Sequence, residues 1–224
     1  MKRDLVIGVD CSTTAAKAVV WNTSGRAVAE GRASFSLSSP HPGWGEQDPV
    51  DWWQAVVKAI QDACGKIDAR QVAGLSITHQ RETFVCLDAE GAALRPAMLW
   101  LDTRAREEIE AYGNAKIHEA TGKPPNTATS WYKLLWLQKH EPRVLARTQW
   151  VADVQAYLVH RLTGRWRTSY GSVDPMGLLD LRNFQLDGEL LGQAGLTPAQ
   201  IPEIHAPGDR LGELKSDVDR KSVV

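Results

Sequence analysis

The chain opens with a run of apolar, largely β-branched residues at 5–9. It repeats that character at 17–21 after a short polar turn, so both segments predict strands. Asn22-Thr23-Ser24-Gly25 predicts a second turn and residues 26–35 a third strand. Three consecutive strands joined by tight turns make an antiparallel start, unlike the strand-then-helix opening of a dinucleotide-binding fold. Pro40 to Gly45 reads as a loop, and Asp48-Pro49 as a helix N-cap with proline at the first helical position. Trp52, Trp53, Val56, Val57, Ile60 and Ala63 then recur at helical spacing, so a packed helix is expected to about Cys64, where Gly65 stops it.

Residues 72–78 and 84–87 predict two more strands, separated by the polar stretch His79-Gln80-Arg81-Glu82-Thr83. Asp88 to Gly91 is a turn, Met98-Leu99-Trp100 is short and apolar, and a charged helix is expected from Thr103 to about Tyr112. Beyond residue 113 the pattern is mainly helical, with helices expected near 130–140, 153–162 and 187–194. Early strands followed by helices predict an α/β protein: a mixed sheet with antiparallel first strands, flanked by helices, plus a helical extension. No internal repeat, low-complexity run or linker divides the chain.

Composition adds limits. The formal net charge of the 224 residues is -1, which argues against a nucleic-acid partner, so any phosphate must be held locally. Cys11, Cys64 and Cys86 fall at no paired or metal-ligand spacing and read as reduced thiols, hence a cytoplasmic protein. No stretch approaches 18 apolar residues, and the first apolar run is too short for a signal peptide, so no membrane association is expected. A homo-oligomer is compatible with the sequence.

Candidate chemistry gathers in a few places. Asp10-Cys11-Ser12-Thr13-Thr14 puts a carboxylate and hydroxyls at a strand tip, where a turn can aim N–H groups at phosphate and Asp10 can hold hydrated Mg²⁺. Lys17 follows nearby. The plainer reading is that Asp, Ser and Thr favour turns. Arg81 and Glu82 lie where a strand should end and should approach the Asp10 turn. If the backbone turns there, a donor guanidinium and an acceptor carboxylate can serve neighbouring hydroxyls of a polyol; otherwise they are a solvated ion pair. Trp100 can pack on the C–H face of a sugar, with Asp102 or Arg104 reaching hydroxyls beside it, although most of the nine tryptophans must be packing residues. The histidines form no ligand cluster; His79 stands out only because it adjoins Gln80-Arg81-Glu82.

As an ordered set these stretches resemble the N-terminal domain of the FGGY carbohydrate kinases, in the branch of glycerol kinase and xylulokinase. Asp10-Cys11-Ser12-Thr13-Thr14 with Lys17 resembles the family's first phosphate loop, Pro42 to Pro49 its loop before the first helix, Thr78 to Thr83 its polyol-binding segment, and Lys133 to His140 the core of its first signature. The resemblance implies an actin-like, ribonuclease-H-like fold and transfer of the ATP γ-phosphoryl group to a sugar or polyol hydroxyl. Asp10 would serve Mg²⁺, Ser12, Thr13, Thr14 and Lys17 the phosphates of ATP, and His79, Gln80, Arg81, Glu82, Trp100 and Asp102 the sugar or polyol. It also implies a domain at 1–215 and a tail at 216–224. The second, ATP-binding domain and the aspartate base would both lie beyond Val224, so no catalytic base is assigned within the chain. Two departures are visible: Ser12 stands where many members have glycine, and Ala128 where the glycerol branch carries a substrate tyrosine. The other classes weighed are a truncated sugar- or partner-binding module and a metal-dependent nuclease of ribonuclease-H-like fold. The nuclease would need further carboxylates converging on Asp10.

Overall fold

β1 (Leu5–Cys11) buries Leu5, Ile7, Val9 and Cys11 and turns Val6 and Asp10 outward, the two-residue period of a strand packed on one face. The computed structural model describes residues 2–216; the remainder of the expected tail, 217–224, lies outside the described residues. β2 (Ala15–Asn22) pairs antiparallel with β1, setting Asp10 opposite Lys17, and β3 (Ala27–Ser34) pairs antiparallel with β2. The β2–β3 turn closes as expected: Asn22 Oδ1 accepts the N–H groups of Ser24 and Arg26, and Gly25 takes a φ of 74°.

A two-residue strand, β4 (Glu46–Gln47), leads into α1 (Pro49–Cys64). Asp48 caps α1 by accepting the Val50 N–H at 2.9 Å, and Trp52, Val56 and Ile60 form its buried stripe. The helix lies so close to β3 that a Cβ on Gly31 would sit 2.1 Å from the Ala59 carbonyl oxygen, so only glycine fits there. β5 (Val72–His79) returns parallel to β1, completing a four-stranded sheet of order β3-β2-β1-β5. This is the mixed sheet with antiparallel first strands that the pattern of the chain predicts.

The next strand belongs elsewhere. β6 (Phe84–Leu87), β7 (Ala97–Met98) and β8 (Trp150–Asp153) join β4 in a second sheet of order β4-β7-β6-β8. The polar stretch Gln80 to Thr83 is therefore where the chain leaves one sheet and enters another. Between and after these strands the chain forms α2 (Arg106–Tyr112), α3 (Ala115–Thr121), α4 (Ser130–His140), α5 (Pro142–Arg147) and α6 (Val154–Thr163). The extension ends with β9 (Arg167–Ser169), α7 (Tyr170–Val173), the hairpin of β10 (Leu179–Asp180) and β11 (Gln185–Leu186), α8 (Gly188–Gln193), and β12 (Glu203–His205) parallel to β9.

The helix expected from Thr103 begins only at Arg106. Asp102 takes the Arg104 backbone N–H at 3.0 Å and its guanidinium at 2.6 Å, which holds the preceding residues in a turn. The strand β8 is short, and a helical pattern on either side hides it. Two apolar clusters result: one of the first sheet, α1 and α6 around Ile7, Val20, Trp52 and Leu158, the other of Phe84, Met98, Trp131 and Leu134 under α4 and α8.

Candidate functional site

The β1–β2 turn is built by its own hydroxyls. Ser12 donates both its N–H (3.0 Å) and its hydroxyl (2.9 Å) to the Ala15 carbonyl, so serine closes the turn without glycine. The Thr13 carbonyl accepts from Gln47 Nε2 at 2.6 Å, and the Thr14 carbonyl accepts the Phe35 N–H at 3.0 Å. Asp10 is exposed at the end of β1. Cys11 faces the core beneath it, where burial, reinforced by Asp10, pushes its thiol up to about 12. All three cysteines are free and buried.

Parallel pairing sets Asp10 beside Thr78 and Cys11 beside His79, so the end of β5 arrives next to this turn. The Gln80 N–H adds one more bond to the Cys11 carbonyl at 2.9 Å, after which the chain swings away. Glu82 has a φ of 52°, the left-handed region, costing about 1–2 kcal/mol for a residue with a Cβ. That turn breaks the alternation of an extended backbone and allows Arg81 and Glu82 to line the same hollow. Neither side chain makes a hydrogen bond or ion pair with the described residues.

Trp100 closes the hollow from the other side. Its backbone N–H donates to the buried Thr83 hydroxyl and its indole Nε1 donates to Thr13 Oγ1, both at 3.1 Å, while the side chain stays 43% exposed. Asp10, Ser12, Thr13, His79, Gln80, Arg81, Glu82 and Trp100 line a hollow of about 280 Å³. Most of the expected residues thus meet in one place.

Four of the expected residues stand in other relations to it. His79 reaches the hollow, yet its ring is fastened: Nδ1 lies 2.8 Å from the Gln80 carbonyl oxygen, Nε2 lies 2.9 Å from Ser172 Oγ, and Asp153 is 3.8 Å away. Thr14 is exposed beside the lining residues and is not among them. Lys17 pairs with Glu30 at 3.4 Å and lines a separate, larger hollow of about 370 Å³ with Gly31, Arg32, Asp62 and Lys66. Asp62 there pairs with Lys58 outside the hollow, and Lys66 donates to the Glu30 carbonyl at 2.6 Å. Asp102 is fully buried, accepting from the Gly45 N–H at 2.7 Å and from Arg104, which also binds Glu46 at 2.7 Å and stacks 3.5 Å over Trp44. It is a structural carboxylate that anchors the Pro42 to Pro49 loop.

Supporting residues were not legible as such. Gln47 and Thr83 hold two walls of the hollow, and Lys133, fully buried, donates to the carbonyls of Thr127 (2.9 Å) and Ala128 (2.6 Å). Burial drives the Lys133 ammonium down to about 7, opposed by the charges of Asp102 and Glu82. The available signal was polar residues set inside otherwise packed segments. Among the described residues no group of three or more His, Cys, Asp or Glu could hold a metal by itself. Asp10 and Glu82 are the carboxylates of the hollow, which suits Mg²⁺ that keeps most of its waters and takes one or two carboxylates.

A mixed sheet whose first hairpin faces the end of its parallel neighbour defines an α/β protein with a hollow where the two sheets meet. The chain belongs to the FGGY family of carbohydrate kinases: the model of that family's N-terminal domain matches residues 5–223. It is 38% identical over 218 residues to the xylulose kinase of Streptomyces rubiginosus, covering 94% of this chain and 44% of that protein. It is 30% identical over 222 residues to the glycerol kinase of Thermococcus onnurineus, covering 95% and 45%. Among solved structures, the gluconate kinase of Lactobacillus acidophilus superposes with a TM-score of 0.92 at 29% identity, over 96% of this chain and 44% of that one. The fold is therefore that of the FGGY sugar kinases, actin-like as expected, and the chain spans less than half the length of these relatives.

Proposed function

We propose that this chain is the sugar-binding part of an ATP-dependent carbohydrate kinase and that the hollow of about 280 Å³ holds a sugar or polyol. The observation that carries the reading is the unpaired Arg81-Glu82 step facing a hydroxyl-lined hairpin across that hollow. A sugar hydroxyl both donates and accepts, the guanidinium only donates, and the ionised carboxylate only accepts, so the pair complements neighbouring hydroxyls. The exposed indole of Trp100 offers an apolar face to C–H groups. Gln80 contributes from the floor, and His79 positions it through the Gln80 carbonyl.

In this reading Ser12, Thr13 and Thr14 address the terminal phosphates of ATP and Asp10 addresses Mg²⁺ through water. The metal, when bound, supplies positive charge against the phosphates. Phosphoryl transfer depends on positioning and charge stabilisation from all sides of the reacting group. The hollow described here supplies one side only, so in this reading residues 1–224 alone bind sugar without turnover. Calorimetric titration of the purified chain with D-xylulose and glycerol, beside an ATP-dependent phosphorylation assay, tests both parts. Binding that disappears in Arg81→Ala is expected. Identical titrations of wild type and Arg81→Ala would remove the site, and robust phosphorylation by the chain alone would remove the claim of inactivity.

A further inference from the structure

Gln47 is 2% exposed, and its hydrogen bonds can be read in only one direction. The indole Nε1 of Trp52 lies 2.8 Å from Gln47 Oε1 and can only donate, which places the oxygen on that side. The amide nitrogen then faces the Thr13 carbonyl at 2.6 Å and the Ser36 carbonyl at 3.3 Å, which accept its two protons. Gln80 approaches the same Gln47 oxygen at 2.9 Å and must therefore present its own amide nitrogen. Its oxygen is consequently turned away. Gln80 is 7% exposed and lines the hollow, and its Oε1 is buried without a partner among the described residues. A buried acceptor left unmade costs more than an average hydrogen bond gains, so the orientation of Gln80 is held at a cost by its bond to Gln47.

We infer that Gln47 is a positioning residue: through one saturated amide it fixes the Thr13 end of the hairpin and the orientation of Gln80, two parts of the lining that a ligand in the hollow would meet. The ligand part rests on the sugar reading above; the fixed amide geometry does not. The two lining elements, hairpin and β5 turn, are thereby set by a single side chain that touches no ligand.

The test uses the ¹⁵N-labelled 224-residue chain and D-xylulose. In the wild type both Gln47 side-chain amide protons are donated and should exchange slowly; rapid exchange of that pair would overturn the inference without any variant. Gln47→Glu can still accept from Trp52 and Gln80 but has no proton for Thr13 or Ser36. It should keep the Trp52 indole resonance while the Ser12 and Phe35 amides exchange about tenfold faster or more. D-xylulose affinity should fall about fivefold or more. Unchanged exchange at Ser12 and Phe35 overturns the positioning role, and faster exchange with unchanged xylulose affinity overturns its reach to the ligand. If the wild-type chain binds neither D-xylulose nor glycerol, the sugar reading fails, while the exchange rates still decide whether Gln47 holds the hairpin.

Discussion

Two acid–arginine pairs lie within 25 residues of each other and do opposite things. Asp102 and Arg104 are buried and bonded to each other, to Glu46 and to the Gly45 backbone, with Arg104 stacked on Trp44. Arg81 and Glu82 are partnerless among the described residues, and Glu82 holds a left-handed backbone conformation. The first pair spends most of its capacity within the protein and lies away from the hollow; what it leaves unmade, Arg104 Nη1, is buried without a partner among the described residues. The second retains its hydrogen-bonding capacity and stands at a hollow. Unused capacity that faces a hollow, more than residue type, distinguishes the pair proposed to bind from the pair that holds the loop.

Removing one member of each pair should break the symmetry most visibly. Asp102→Ala leaves Arg104 buried beside Trp44 without its main counter-charge and leaves the Gly45 N–H unpaired, so urea unfolding should show a loss of about 3–5 kcal/mol. Arg81→Ala should shift the same curve by less than about 0.5 kcal/mol, as expected at an exposed position. It should instead weaken D-xylulose binding about tenfold or more, the loss of a charged hydrogen bond. If Arg81→Ala destabilises as much as Asp102→Ala, the contrast collapses.

Sequence alone could not draw this contrast, because both pairs read as charges near strand ends. What was legible was whatever local chemistry decides: the hairpin turns, the Asp48-Pro49 start of α1 and the span of α4. The approach of the strand end before Arg81 to Asp10 was expected too, but its parallel pairing with β1 was not. What was hidden depends on distant partners. β4, β7 and β8 are only two to four residues long and exist because they pair with one another and with β6, a pairing that periodicity does not register. Asp102 looked available because Gly45, 57 positions earlier, is invisible beside it in sequence. Lys17, expected at the phosphates, pairs on the surface with Glu30 of the next strand, a partner that spacing along the chain does not show.

Lys133 sharpens the comparison through pH. Burial lowers its ammonium from 10.5 to about 7, so above pH 7 the unfolded chain binds a proton that the folded chain does not. Unfolding then takes up protons, and stability rises as pH increases from about 7. The rise is limited above pH 9.0 by Cys11 and Cys86, which burial raises to about 12 and about 11: the unfolded thiols ionise first, and stability falls again. Urea midpoints between pH 7 and 9 should therefore climb in the wild type and stay flat in Lys133→Met. A flat wild-type profile would show that Asp102 and Glu82 hold the lysine charged.

The smallest effect is the most discriminating. Glu82 holds a φ of 52°, which a glycine adopts freely, so Glu82→Gly should stabilise the chain by up to about 1 kcal/mol, offset in part by the greater freedom of glycine when unfolded. The same change removes the carboxylate that lines the hollow beside Arg81 and should weaken D-xylulose binding. Glu82→Ala separates the two contributions, since it loses the carboxylate but keeps the strain: binding should fall as in the glycine variant while stability stays near wild type. Chemical denaturation and calorimetry on the three proteins read both quantities. Stability and affinity moving in opposite directions is what strain retained for a binding residue looks like. Were Glu82→Gly to lower stability instead, the left-handed turn would be held by contacts of the side chain itself, and Glu82 would belong with Asp102 among the structural carboxylates.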